Sequence, residues 1–532
     1  MLFLLIITAY HAQSQSTNFE IYLEPITIPN LPGLQSYAFG QHDGKWLVIG
    51  GRIDGLHQRQ PFAAFDVNGN NTAVMVVDPI TAQIWTKPLS SLSITLQEQL
   101  QSTNMQFYQS GNTLYVLGGY GYSTSQNKHT TYPHLTAIDV SGTIAAIVNN
   151  TSMDAYYRQI TDSLFQVTGG RLEKMDSVYY LVGGHKFIGA YNPMGPNHGP
   201  GFFQEYTNAI RKFSILDDGL TLSVTHYPAT IDTNQLHRRD YNLVAQIFPN
   251  GSEGMTAFSG VFQKNVNQPF LNSVDIDNNS YTVNNSFAQY YNHYHCANLP
   301  LYSATQNEMH TVFFGGIAQY YDSAGVLVQN TDVPFVKTIA RVTRTGTGAM
   351  AEYKMNASMP SLLGAGSELI PNSTIPRYPS GVVKLDELTS DSTLAGYIYG
   401  GIESSAGNIF FINNGTQSSA SQKVFKVWII KSGAMSVHDL NEQSVGTLHA
   451  QVKPNPNNGH FFVTYTLLKP ATVTITLFQE NGGLIFKEKL QNQQPGNRTF
   501  EKRVRNISKG GVYLLTIDNG IERSTQKIVI EP

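Results

Sequence analysis

Short apolar runs, separated by clusters of Gly, Asn, Asp and Ser, follow one another along almost the whole chain. Five of these runs end in a glycine pair: "KWLVIGG" at Gly51, "TLYVLGG" at Gly119, "VYYLVGG" at Gly184, "HTVFFGG" at Gly316 and "GYIYGG" at Gly401. A sixth, "GMTAFSG", closes at Gly260 with Ser259 in place of the first glycine. The intervals are unequal, shortest from Gly260 to Gly316 and longest from Gly316 to Gly401, so units of similar size carry loops of different length. A short strand and a polar turn precede each run. In "NMQFYQSGNTLYVLGG" the cluster Ser110, Gly111 and Asn112 favours a hairpin. At least one further strand follows each run, and "AVMVVDPITAQIW" (73–85) shows the clearest such pair, broken by an Asp-Pro turn. The pattern predicts a mainly β chain of repeated small antiparallel sheets.

A double glycine after an apolar strand, then an aliphatic strand, a turn and a Trp or other aromatic, resembles the kelch repeat, and the resemblance covers about residues 16–431. It implies a six-bladed β-propeller, with five or seven blades the alternatives that Ser259 leaves open. The glycines are expected where one blade presses on the next and a Cβ would be in the way. Closure of the ring is expected from "NFEIYLEPITI" (18–28) pairing beside "KVFKVWIIK" (423–431), which hides an otherwise free edge.

The pattern changes after Lys431. A polar linker is expected over 432–451, followed over 452–532 by alternating strands joined by Asn/Gly turns, the pattern of a small antiparallel, immunoglobulin-like β-sandwich. This last segment is basic, whereas the rest of the chain is acidic. It resembles the C-terminal sorting domain of the type IX secretion system of Bacteroidetes-type bacteria. The residues that carry the resemblance are Pro454, Asn455, Pro456, Gly459 and Phe461 at its start, Gly482 in the central turn, and Gly511, Val512, Tyr513 and Lys527 near the end. The resemblance implies recognition by the outer-membrane secretion machinery and a final place outside the cell, with the propeller released or attached to the surface. At the other terminus, "MLFLLIITAYHAQSQS" carries an apolar run too short to span a bilayer, followed by Ala12 and Ser14 at signal-peptidase spacing, so residues 1–14 are expected to be a signal peptide. No Lys or Arg precedes that run, so a start further upstream stays open. No other segment is long and apolar enough to cross a membrane.

Composition narrows the function classes. Charged residues make up 13% of the 532 and the net charge is -3, which does not suit a nucleic-acid partner. The single Cys296 excludes an internal disulfide and is expected to fill a buried inner-strand position. In a four-stranded up-and-down blade, loops after the second strand share an end with the approaches to the inner strands. That end is expected to gather Arg52, His57, Arg59, Tyr120, Tyr122, the long excursion 185–203, Tyr321, the "LHRRDYN" segment with Arg239, the "YNHYHCANL" segment with His293, and "PRYPSG" with Arg377. Arg, His and Tyr together suit a sugar, a carboxylate or a protein partner. The excursion serves equally as a plug for the channel, and His293 with His295 read better as structural residues than as metal ligands, for want of a third ligand.

The leading expectation is an exported ligand-binding module for a glycan or protein, without a cofactor, using Arg52, His185, Tyr191, Arg239, His293, Tyr321 and Arg377. Resemblance to kelch proteins of bacterial exteriors keeps two enzymes open. One is a sialic-acid mutarotase, with Glu205 and Arg239 as acid/base candidates and Arg377 on the sugar carboxylate. The other is a copper radical oxidase, with Cys296 crosslinked to a Tyr and His293 or His295 on copper.

Overall fold

A computed structural model describes residues 19–193, 195–323, 326–431, 448, 450–467, 469–479, 484–504, 510–519 and 523–531. The expected signal peptide, Gly482 and most of the expected linker lie outside the described residues. The chain divides into two compact units, Met1–Ser432 and Gly433–Pro532.

The first unit is mainly β. Six antiparallel sheets with four main strands each succeed one another among its described residues. Sheet 1 comprises Ala38–His42, Lys45–Ile49, Ala73–Asp78 and Gln83–Pro88. Sheet 2 comprises Gln106–Ser110, Thr113–Leu117, His134–Asp139 and Tyr157–Thr161; sheet 3, Arg171–Met175, Val178–Val182, Ala209–Asp217 and Leu222–Ile231. Sheet 4 is Asn242–Ile247, Glu253–Phe258, Ser273–Ile276 and Tyr281–Asn284; sheet 5 is Asn298–Ser303, Glu308–Ile317, Phe335–Arg344 and Met350–Ser358. Sheet 6 joins Leu362–Pro371, Ser392–Ser404 and Val424–Lys431 to the first described strand of the chain, Phe19–Ile26. That strand runs antiparallel to Val424–Lys431 from Phe19 opposite Lys431 to Ile26 opposite Val424, and Glu24 accepts from Trp428 Nε1 at 2.8 Å. An edge that would otherwise be open is thus paired.

Apolar side chains fill the spaces between consecutive sheets. Leu47, Ile49 and Val76 of sheet 1 share a core with Leu114, Val116 and Ile138 of sheet 2, and Trp46, Val48 and Met75 of sheet 1 share another with Ile370 and Tyr399 of sheet 6. The double glycines lie at these contacts. A Cβ on Gly118 would stand 2.0 Å from the carbonyl oxygen of Val167, and one on Gly400 would stand 2.1 Å from that of Leu34. Both glycines have left-handed backbones, φ 60° and 72°.

Where the inner strands converge, six backbone N–H groups donate in a closed cycle: Ser36 to Gly366 (2.8 Å), Gly366 to His295 (2.9 Å), His295 to Asp240 (2.9 Å), Asp240 to Gly169 (2.7 Å), Gly169 to Asn104 (3.3 Å) and Asn104 to Ser36 (3.2 Å). Peptide groups that no sheet ladder could satisfy here satisfy one another. Beside the cycle, a cavity of about 10 Å³ is lined by Arg171, Asp240, His295 and Glu368 among others, room for about one water. Glu368 accepts from Arg171 Nη1 at 3.4 Å and lies 2.7 Å from His295 Nε2. Glu173, two residues along the inner strand from Arg171, is a carboxyl whose pKa burial pushes up to about 8, against the pull of Arg171.

The second unit has a three-stranded sheet, Ala450–Lys453, His460–Leu467 and Gly496–Arg503, and a four-stranded one, Ala471–Gln479, Leu484–Gln493, Gly511–Asp518 and Arg523–Ile530. Phe461, Val463 and Tyr465 of the first share a core with Val473, Ile475, Tyr513, Leu515 and Ile528 of the second. The motif residues at its start have a structural part. Asn455 donates through Nδ2 to the carbonyl of Lys527 at 2.9 Å and accepts from the Val529 N–H at 2.7 Å, which fastens the Pro454–Pro456 segment to the last strand. Gly459 turns the chain into its second strand with φ 89°, and Gly511 opens the strand that carries Tyr513.

Candidate functional site

The connections that follow the double glycines all leave from one end of the six sheets. Two of them build a further sheet. Tyr120–Ser123 and Lys128–Thr131, after Gly119, pair through the second hairpin's His185–Ile188 and Phe203–Tyr206, after Gly184, in the order 203–206, 185–188, 128–131, 120–123. The segment 185–206 that holds the excursion therefore supplies half of an added sheet, and Gly199 within it reaches the loop of sheet 1: a Cβ there would lie 3.1 Å from Pro61 Cγ. Loop 405–417 joins the same group, because Asn413 Nδ2 donates to the carbonyls of Leu56 (2.7 Å) and His57 (3.1 Å).

Arg239 and Asp240 stand where these loops meet the axial cycle. Asp240 belongs to the cycle through its backbone and binds Arg239 Nη1 through its carboxylate. Arg239 Nε donates to the Tyr206 hydroxyl at 3.0 Å, and the guanidinium lies 5.3 Å from the ring centre of Phe262. Burial opposes the charge, but Tyr206, Asp240 and Tyr294 outweigh it and hold the guanidinium's pKa above its usual value. Tyr206 stacks on His237 at 3.7 Å and tilts against His185 at 5.5 Å. Tyr191 meets His57 edge-on at 4.6 Å and lies within electrostatic reach of Arg239.

The three histidines are uncharged at neutral pH because burial disfavours the imidazolium. It lowers His57 to about 4, His185 well below the ordinary value, and His237 in the same direction. His57 Nδ1 is 3.2 Å from the Gln58 carbonyl and His237 Nδ1 is 2.7 Å from Asn208 Oδ1, contacts that require the proton on Nδ1 and leave Nε2 as an acceptor. His185 Nδ1 takes the Gln204 amide at 2.7 Å, which puts its proton on Nε2. This cluster thus holds hydrogen-bond donors and acceptors side by side among flat rings.

Several sequence candidates enter this constellation and others do not. Arg239, His185 and Tyr191 line it. Arg52 sits at the same end but is buried, with its guanidinium on both Asp54 oxygens, Asn70 Oδ1 and the Asp66 carbonyl, so it braces loop 52–70. Tyr321 belongs to the outlying hairpin Tyr320–Ser323 and Val326–Gln329. His293 is enclosed: Nε2 is 2.8 Å from the Gln289 carbonyl and Nδ1 accepts from Gln319 N–H at 3.0 Å, so neither nitrogen is open to a ligand. Arg377 follows the far end of Leu362–Pro371, opposite the double glycines, and donates to the carbonyls of Asn372, Gly381 and Ala395. Placing it on the ligand rim is corrected, because "PRYPSG" leaves the inner strand of sheet 6 instead of approaching it.

Glu205 is exposed and lies between Gln204 and Tyr206, which face His185 and Arg239; alternation along the strand turns it away from both. It does not form an acid/base pair with Arg239, a second correction. Cys296 is buried against Val244, Phe258, Phe287, Phe313 and Val342, its thiol pushed up by burial to about 12, and no tyrosine belongs to that cluster. The oxidase crosslink thus has no partner there. Sequence reasoning missed Tyr206 and Phe262. Tyr206 carries a usable signal, the alternation of Gln204 and Tyr206 in "FFQEY" just before a strand.

Among solved structures, the chain is similar to a glycoside hydrolase family 43 arabinoxylan arabinofuranohydrolase from Bacillus subtilis in complex with cellotetraose, at 10% identity over 94% of this chain and 96% of that one, with a TM-score of 0.27. It is similar also to a sucrose-6-phosphate hydrolase from Lactobacillus gasseri, at 10% identity over 98% and 88%, with a TM-score of 0.27. Likenesses of that degree assign neither a fold nor an activity. A search of curated proteins gave no match. Residues 451–531 match the secretion system C-terminal sorting domain family. That domain marks the protein as one exported by the type IX secretion system, to the cell surface or the surroundings of the cell.

Proposed function

We propose that residues 19–431 form a six-bladed propeller of kelch type, that the terminal unit is a small β-sandwich serving its export, and that the propeller is a ligand-binding module for a glycan. One observation carries the binding reading: Arg239, held by Asp240 and Tyr206, stands among Tyr191, Tyr206 and Tyr294 and three uncharged histidines, a cluster read here as the ligand pit. Polyhydroxylated ligands need donors and acceptors together, with apolar faces between them, and this wall supplies both. The cycle of peptide groups adjoins this cluster through Asp240, so on this reading a ligand approaches from the double-glycine end.

The test is a glycan screen on the purified full chain, comparing wild type with Arg239→Ala and Tyr206→Phe. Arg239→Ala should weaken binding at least tenfold, and Tyr206→Phe, which removes only the hydroxyl, by several-fold, with both variants keeping the wild-type circular dichroism spectrum. Unchanged binding by a folded Arg239→Ala protein would sink this reading.

A further inference from the structure

The double-glycine end extends beyond the pit. Every exposed phenylalanine among the described residues of the first unit lies on its loops: Phe62 (84% exposed), Phe202 (38%), Phe203 (51%) and Phe411 (64%). Large apolar rings left in water on a protein destined for the cell exterior need a partner that covers them. Two of them, Phe202 and Phe411, are also linked ring to ring with Tyr191. Phe411 meets Phe410 at 5.4 Å, Phe410 meets His57 at 6.1 Å, His57 meets Tyr191 at 4.6 Å, Tyr191 meets Phe202 at 6.3 Å, and Phe202 stacks on Phe187 at 4.8 Å. Three loops distant in sequence supply this one train of rings, exposed at Phe411 and Phe202 and buried at Phe187.

The train is braced before any ligand arrives. Arg59 lies over Phe411 at 4.7 Å and Phe410 at 5.3 Å, and Asn413 ties their loop to that of His57. Little ordering remains to oppose binding. Charge in the region is mixed: Arg52, Arg59, Lys186, Arg239 and Lys264 stand with Asp54, Asp66, Glu205 and Asp240, and the pit histidines are neutral. A surface of mixed sign gives a charged polymer little net attraction.

We infer that this end binds an extended, uncharged polysaccharide, one sugar unit seated against Arg239 and the neighbouring units laid on the aromatic train. This rests on the glycan-binding reading and adds to it chain length and neutrality. Sugar rings carry C–H faces that cover aromatic faces and hydroxyl edges that reach Tyr, His and Arg, so a chain can satisfy pit and train together. A protein partner would also cover exposed phenylalanines, but it has no need of the adjoining array of uncharged donors and acceptors.

The experiment measures dissociation constants of the full chain for neutral gluco-, manno- and xylo-oligosaccharides from two to eight units, with oligogalacturonate as the acidic control. For at least one neutral series the affinity should rise tenfold or more with length. Phe202→Ala with Phe411→Ala should erase that rise and leave disaccharide binding unchanged. Arg239→Ala should weaken every length alike. Phe411→Leu, apolar but not flat, guards against a general loss of surface and should behave like Phe411→Ala. Affinity independent of length, a double variant that binds long chains like wild type, or preference for oligogalacturonate each overturns the polymer proposal while the pit stands. Absence of any carbohydrate binding, with capture of a protein instead, overturns both.

Discussion

Gly118 and Ser259 hold equivalent places in the second and fourth units yet obey different constraints. Gly118 has a left-handed backbone and the Val167 carbonyl where a Cβ would be; Ser259 is also left-handed, φ 50°, but its hydroxyl donates to the Phe270 carbonyl at 2.7 Å, which helps offset the strain. Gly118→Ala should therefore cost on the order of 3 kcal/mol, since the obstructing atom is backbone and the conformation is disfavoured for any side chain. Denaturant unfolding measures this, and a loss below about 1 kcal/mol would show that the sheets can part to admit a methyl group. At this scale the glycine pairs were readable from sequence, because a repeated steric demand leaves a repeated residue. The roles of individual arginines were not. Arg238 and Arg239 are neighbours, but Arg238 turns inward to the Gln235 and Ser259 carbonyls and Asn272, whereas Arg239 faces the pit.

Among elements, the strand Phe19–Ile26 closes sheet 6 with apolar residues as well as backbone: Phe19 is fully buried and Ile21 nearly so. Burial of each is worth about 2 kcal/mol. Removing residues through Ile26 should leave Val424–Lys431 with an unpaired edge and give a protein that unfolds earlier and self-associates, as read by thermal melting and light scattering. A monomer as stable as wild type would mean that the edge is dispensable. The pairing partner of this strand was expected from the resemblance to kelch proteins, which implies that a terminal strand completes a sheet and hides a free edge. The excursion 185–203 was legible only as an interruption. Its strand 185–188 pairs with 128–131, a partner that no local pattern could name, because short strands on a loop gain their stability from contact and not from propensity.

For the whole molecule, enclosed carboxyls set an unusual pH dependence. Glu173 and Glu352 are each raised by burial to about 8 from 4.5, so between these values the folded chain keeps protons that the unfolded chain releases. Their contribution is fully present below pH 4.5 and falls as pH rises to 8. Histidines work in the opposite sense: His57 and His293, lowered by burial to about 4 from 6.5, make the fold lose stability as pH falls through that window. The two effects oppose each other from 4.5 to 6.5, and the carboxyls dominate from 6.5 to 8. Denaturation midpoints should decline over that upper interval, and Glu173→Gln with Glu352→Gln should flatten the decline. A midpoint independent of pH between 6.5 and 8 in wild type would show that both carboxyls are already ionised.

Sequence alone determined what is local and repeated: the strand periods, the glycine pairs, the basic terminal unit and its Pro-Asn-Pro start. Each follows from a rule acting over a few residues, and repetition makes such a rule visible. Tertiary structure decided the rest. It sent Arg377 to the far end, turned Glu205 outward, enclosed His293 and brought Tyr206 under Arg239. Those outcomes depend on which end of a strand a loop leaves from and which face of a short strand is covered, and neither is fixed until distant segments have packed.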